Sequence, residues 1–148
     1  MLEPRRSIRL LASLLALFGI FGAGVTQAAD LTVVVHGIAK EGGDIRVALY
    51  AKPETFRKEA QALAVRSQPA KLGDERFVFA GLPKGRYAVI AYHDENRNGK
   101  LDLILGMFPA EGWGLSNNPR VIGPPSFEDS AFACSDEAPC QVDIKLTY

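Results

Sequence analysis

The residues best placed to do chemistry are Asp94, Asn96, Asn98 and Asp102. Oxygen-bearing side chains stand on alternate residues from Asp94, Gly99 takes the sixth place of the series and Asp102 the ninth. This is the front of a calcium loop. Alternate side chains turn inward on a hard cation, glycine permits the sharp bend, and Lys100 at the seventh place offers its backbone carbonyl. The twelfth place, where a bidentate glutamate usually closes the shell, is Leu105. Glu111, in a glycine-rich stretch able to fold back over the loop, is the expected substitute. The predicted ligand set is therefore Asp94, Asn96, Asn98, the Lys100 carbonyl, Asp102 and Glu111. Calcium is expected over magnesium because the ligands are many and mostly neutral or monocarboxylate. The competing account is a plain turn, since Asp and Asn bond nearby amides and Asn98-Gly99 turns a chain without any ion.

Other chemistry-bearing residues are weaker. His93 adjoins Asp94, but neighbours along a strand point to opposite faces and meet only if the strand ends there. His36 lies on the alternate face of the first strand. Neither histidine belongs to a metal-binding pattern such as His-x-His, and both are expected as packed or surface residues. Ser116, in Gly114-Leu115-Ser116-Asn117-Asn118, lacks the second glycine of a nucleophile elbow and is expected to bond backbone within its loop. Trp113, with Phe108 and Tyr92, has two readings: an exposed platform for sugar or peptide, or a ring buried to anchor its loop. The second is preferred, because ordering a large aromatic in an irregular segment is usually offset by burial.

These residues need a scaffold, and the pattern around them is that of strands. Leu31, Val33 and Val35 alternate with Thr32, Val34 and His36 until Gly37; after Gly42-Gly43, Ile45, Val47 and Leu49 alternate with Arg46, Ala48 and Tyr50. Pro53 to Leu63 is the one helical stretch, short or a single turn. Phe77 to Phe79 reads as a strand, Leu82-Pro83-Lys84-Gly85 as a turn, and Tyr87 to Tyr92 as an apolar strand central to a sheet. Gly106 to Pro125 reads as a long ordered loop or two short strands, and Ser126 to Ala133 as a stretch able to hold a further strand. Val142, Ile144 and Leu146 alternate with polar residues in a terminal strand. Short strands, frequent turns and little helix predict one all-β domain, an antiparallel sandwich with one short helix.

The address is read from the first 28 residues. Arg5, Arg6 and Arg9 precede an apolar run from Leu10 to Phe21, and small residues follow, with cleavage expected after Ala28. The run is short for a bilayer span, which takes ~20 apolar residues, and Gly19, Gly22 and Gly24 weaken it. The chain thus divides into a signal peptide, 1–28, and a single domain, 29–148. The 148-residue chain carries 17 basic and 17 acidic groups; the leader removes three Arg and Glu3, leaving a net charge of −2. That balance offers no electrostatic case for nucleic acid or an anionic membrane, and no second span follows. Cys134 and Cys140 are close in sequence and, in an oxidising compartment, are expected to form a disulfide that pins the turn before the last strand.

Phe77-x-Phe79-x-Gly81-Leu82-Pro83-x-Gly85-x-Tyr87 resembles the hairpin of transthyretin-like and related Ig-like modules, in which the tyrosine hydroxyl can return to backbone. The wider series resembles the bacterial family known as domain of unknown function 2141. It consists of Gly43-Asp44-Ile45-Arg46-Val47-Ala48-Leu49-Tyr50, then the Gly85-Arg86-Tyr87 strand, then His93 to Asp102, then Pro109-x-Glu111-Gly112-Trp113-Gly114-x-Ser116-Asn117-Asn118. The resemblance implies an exported Ig-like or transthyretin-like β-sandwich and brings no substrate with it. Transthyretin-like hydrolases act on ureides, but the Tyr-Arg-Gly-Ser ending they share is replaced here by Lys145-Leu146-Thr147-Tyr148. The expectation is a monomeric, periplasmic or secreted, non-catalytic binding module for an unknown ligand or envelope protein. A small hydrolase and a purely structural envelope protein, able to add a partner's strand at an exposed edge, are the alternatives.

Overall fold

The computed structural model describes residues 28–135 and 138–148, so the expected signal segment, apart from Ala28, lies outside the described residues. The strands are β1 (Ala29–Ile38), β2 (Asp44–Tyr50), β3 (Ala64–Pro69), β4 (Gly73–Leu82), β5 (Gly85–Asp94), β6 (Leu103–Ile104), β7 (Phe108–Pro109), β8 (Trp113–Leu115), β9 (Phe132–Cys134) and β10 (Cys140–Lys145), with one α-helix, α1 (Phe127–Ser130). One sheet runs β10-β1-β4 and the other β3-β2-β5-β8, while β6 and β7 form a separate hairpin. The alternation decides which side chains face inward. Leu31, Val33 and Val35 of β1 meet Ile45, Val47 and Leu49 of β2 and Tyr87, Val89 and Ala91 of β5 in one buried core. This is the all-β sandwich the pattern predicts, with β5 central as expected.

Pro53 to Leu63 keeps to single turns, two 3-10 turns at Pro53–Thr55 and Glu59–Gln61. The structure departs from the sequence expectation in three places. The stretch expected to hold a further strand does so only at its end, in β9, and opens with the α-helix: the Ser126 hydroxyl accepts the Asp129 N–H at 3.2 Å, and Glu128 and Asp129 follow in the first turn. A serine cap with acids behind it starts a helix. β3 had no apolar alternation to announce it, because an edge strand with no fully buried residue is held by its main-chain pairing with β2. Finally, β10 pairs with β1 in parallel while the other named pairs run antiparallel. Alternation reports which face is buried, not which way the neighbour runs.

Two devices hold the layers in register. Cys134 of β9 is joined to Cys140 of β10, with the Cα atoms 5.4 Å apart. Since β9 pairs with β5 and β10 with β1, this disulfide links the two sheets. At the other hairpin the Tyr87 hydroxyl donates to the Pro83 carbonyl at 2.6 Å, as the turn motif led one to expect.

Candidate functional site

β5 is buried to its last residue, so Asp94 enters the loop from inside the protein, only 1% exposed. A buried carboxylate needs partners. Its two oxygens accept the N–H groups of Asn98 at 2.9 Å and Gly99 at 2.8 Å. Asn96 Oδ1 accepts the Asn98 N–H at 3.0 Å, and Asn98 Oδ1 accepts the Lys100 N–H at 2.8 Å, so each asparagine closes a turn on backbone two residues ahead. Their amide groups donate to Asp102, Asn96 at 2.7 Å and Asn98 at 2.9 Å. Glu111 is buried and does fold back: Oε1 accepts the Glu95 N–H at 2.9 Å and Oε2 the Asp102 N–H at 3.0 Å.

Asp94, Asn96, Asn98, Asp102 and Glu111 are thus brought into one network, with Lys100 joining through its N–H. Every oxygen of the three carboxylates already has an N–H partner. Among the described residues no three His, Cys, Asp or Glu form a group that could hold a metal ion. The base of the loop is fixed by Gly43, which has φ +69°; a Cβ there would collide with the Asp94 carbonyl and lie 2.6 Å from Glu95 Cα. Outside, Lys40 Nζ reaches Glu95 at 2.9 Å, which raises the lysine pKa, and Arg97 Nε donates to Asp44 at 3.3 Å.

The remaining polar candidates are occupied. His93 is fully buried, with Nε2 2.6 Å from the Gly42 carbonyl and Nδ1 2.9 Å from the Tyr148 hydroxyl. A carbonyl can only accept, so Nε2 carries the proton, and Asp94 takes separate partners. Ser116 Oγ accepts the Val89 N–H at 2.9 Å and donates to the Ser130 carbonyl at 2.5 Å. It serves the stretch of β5 between the residues paired by β8 and those paired by β9. His36 lies on the outer face of the smaller sheet, 2.8 Å from Asp74 and 2.9 Å from Asp143, tying β1 to β4 and β10.

The feature least visible in the sequence is on the outer face of the larger sheet. Tyr50, Ile90 and Leu115 point outward there, with Phe56 and Phe127 packed over part of them. Beyond that cover lies a cavity of about 770 Å3. Its floor is Tyr50, Ile90, Tyr92, Trp113 and Leu115; its walls are residues 56–59, the loop residues 99–101, the β6–β7 hairpin and residues 121–125. Trp113, Phe108 and Tyr92 do meet in this groove, and the half-buried Trp113 ring packs on the outer cluster, as preferred from the sequence, while also lining the cavity.

A polar knot closes the groove's edge. Arg46, opposite Tyr92 across the strand pair, donates through Nε to the Tyr92 hydroxyl at 2.9 Å and through Nη2 to Glu59, while Tyr92 donates to Glu59 at 2.7 Å. The hydrogen bond to Glu59 raises the arginine pKa; burial and then Glu59 raise that of Tyr92, and burial followed by Glu59 pushes Tyr50 up to about 12. Both phenols are therefore neutral at ordinary pH. Arg46 and Glu59 were missed in sequence because they look like ordinary charged residues thirteen apart.

Fold and site together define a disulfide-linked β-sandwich with a polar-networked loop beside an apolar groove. The family described as an uncharacterized protein conserved in bacteria, domain of unknown function 2141, matches residues 33–141, and the chain belongs to it. The match runs from β1 into β10 and includes the loop, Glu111 and the groove. No curated protein and no solved structure matches the chain.

Proposed function

We propose that the chain is an exported, non-catalytic binding module whose ligand seat is the groove between the 94–102 loop and the β6–β7 hairpin. The observation that carries this is the groove itself: about 770 Å3, floored by aromatic and aliphatic side chains, with a few polar groups at its edge. Small-molecule seats have this size and make-up. The loop builds one wall, through Gly99, Lys100 and Leu101, so its network serves to hold that wall still. The non-catalytic reading is supported by the histidines and Ser116, whose polar atoms are committed to structural bonds and which do not line the groove. Export is supported by the basic and apolar leader and by a disulfide, which persists in oxidising compartments. Among the described residues, no helix is long and apolar enough to cross a membrane.

Calcium enters as a stabiliser of the same wall. The spacing of Asp94, Asn96, Asn98 and Asp102 supports it, and an ion would have to replace the two asparagine amides now bonded to Asp102. Two measurements test the proposal. Nile red, a neutral apolar probe, should bind saturably and accept energy from Trp113, and aspartate at Leu103 and Met107 should abolish this; a probe that binds the double variant equally well sinks the groove as the seat. The melting temperature should rise in millimolar calcium and fall with chelator, since extracellular sites bind at about 10⁻⁴–10⁻³ M. An unchanged midpoint removes calcium and leaves the groove standing.

A further inference from the structure

We propose that the groove takes a single-chain anionic amphiphile, its apolar tail laid over Ile90, Trp113 and Phe108 and its charged head held by Arg57, Lys58 and Lys100. This rests on the groove being the ligand seat and adds the class of ligand.

The tail follows from what lines the groove. No Asp, Asn, Gln, Ser or Thr side chain does so among the described residues. A sugar or a peptide would leave its own donors and acceptors unmatched there, at a cost in every polar group it buried. An alkyl chain has nothing to leave unmatched. The hairpin wall is apolar and wet, with Leu103 47%, Met107 68% and Phe108 61% exposed. Covering such surface releases its water and is favourable in proportion to area.

The head follows from charge. The charged side chains lining the groove are Arg57, Lys58, Glu59 and Lys100. Glu59 is already matched, with one oxygen on Arg46 and the other on the Tyr92 hydroxyl. Arg57, Lys58 and Lys100 are exposed and make no ion pair among the described residues. The groove therefore presents an excess of cations beside an apolar floor, while the mature chain as a whole is slightly acidic. A carboxylate, sulfate or phosphate head fits, and a quaternary ammonium head is repelled.

Trp113 is the single tryptophan of the chain and stands in the groove, so its emission reads occupancy directly. Dodecanoate, dodecanol and dodecyltrimethylammonium are titrated below their micelle concentrations, following Trp113 and displacement of Nile red. Dodecanoate should give one saturable phase, with dodecanol about tenfold weaker and the ammonium compound weaker still, since a charge-assisted contact is worth about a factor of ten. In Lys58→Glu/Lys100→Glu, both surface changes, dodecanoate should lose about tenfold and dodecanol should be unchanged. Equal affinity for dodecanoate and dodecanol overturns the head-group assignment while the seat stands. No response to any of the three, with no Nile red binding, overturns the seat and the function built on it. Sedimentation with phosphatidylglycerol vesicles without a response to monomeric dodecanoate overturns the single-chain ligand in favour of a lipid surface.

Discussion

The two sheets of this sandwich share one apolar core and differ in what they show outward. The smaller sheet presents Thr32, His36, Arg76, Gln141, Asp143 and Lys145, none of them buried, with two valines among them, Val34 buried and Val78 49% exposed. The larger sheet presents Tyr50, Ile90, Tyr92 and Leu115, all buried under turns and loops except where the groove opens. A sandwich needs apolar residues on its inner faces alone, since those are the ones that leave water when the layers meet. The outer face of the smaller sheet follows that rule. The larger sheet breaks it, and an apolar outer face is tolerated only if something covers it. Here residues 53–61 and 121–131 supply part of the cover, and the uncovered remainder is the groove.

The comparison can be broken most forcefully at the interior. Leu49→Ala removes a side chain buried between the layers and should cost about 2–5 kcal/mol in denaturant unfolding. Val78→Ala, on the outer face of the smaller sheet and 49% exposed, should stay within about 0.5 kcal/mol. Similar losses at the two sites would mean that the layers do not pack as described.

A smaller effect belongs to the groove wall. Glu111→Ala leaves the Glu95 and Asp102 amides without their acceptor and should cost about 1–3 kcal/mol. If calcium is a ligand of the same carboxylate, the calcium-induced rise in melting temperature should shrink in this variant. A full rise in the variant would assign Glu111 to the amides alone.

The smallest effect sharpens the polar face and depends on pH. Hydrogen bonds to Asp143 and then Asp74 hold His36 above its ordinary 6.5, and His36 in turn holds both carboxylates below their ordinary 3.8. The imidazolium contributes fully below its unfolded value, and that contribution disappears as pH rises through the raised folded one. The carboxylates contribute above their unfolded value and lose it as pH falls through the lowered folded one. The cluster should therefore help most between about pH 4 and 6.5. The melting difference between the wild type and His36→Asn should peak in that window and vanish in mild alkali. A difference that is flat with pH would remove the ionic character of the cluster.

Much of this was legible residue by residue. Period-two alternation placed β1, β2 and β10, because burying one face of a strand writes itself directly into composition, and an unbroken apolar run placed β5. The loop residues were legible because Asp and Asn act over two to five residues, a range the chain itself spans. The fold-back of Glu111 followed from a missing partner in the loop and a flexible segment beside it. β3 was silent because it buries little, and α1 was overlooked although Ser126 and its trailing acids announce a cap.

What the amino-acid order determined alone, then, was local: which residues turn the chain, which strand faces are apolar, and that Asp94 to Asp102 forms a polar loop. Only the tertiary structure decided that β10 lies parallel to β1 and that the disulfide joins two sheets. It also decided that Arg46 and Glu59 meet at Tyr92, and that Trp113 shares a cavity with Tyr50 and Phe108. Those outcomes depend on segments brought together across the whole domain. Their cost in chain entropy is offset by burying the common core, not by any contact the neighbours in sequence make. A loop of nine residues can be read from its own letters, whereas a groove belongs to the fold.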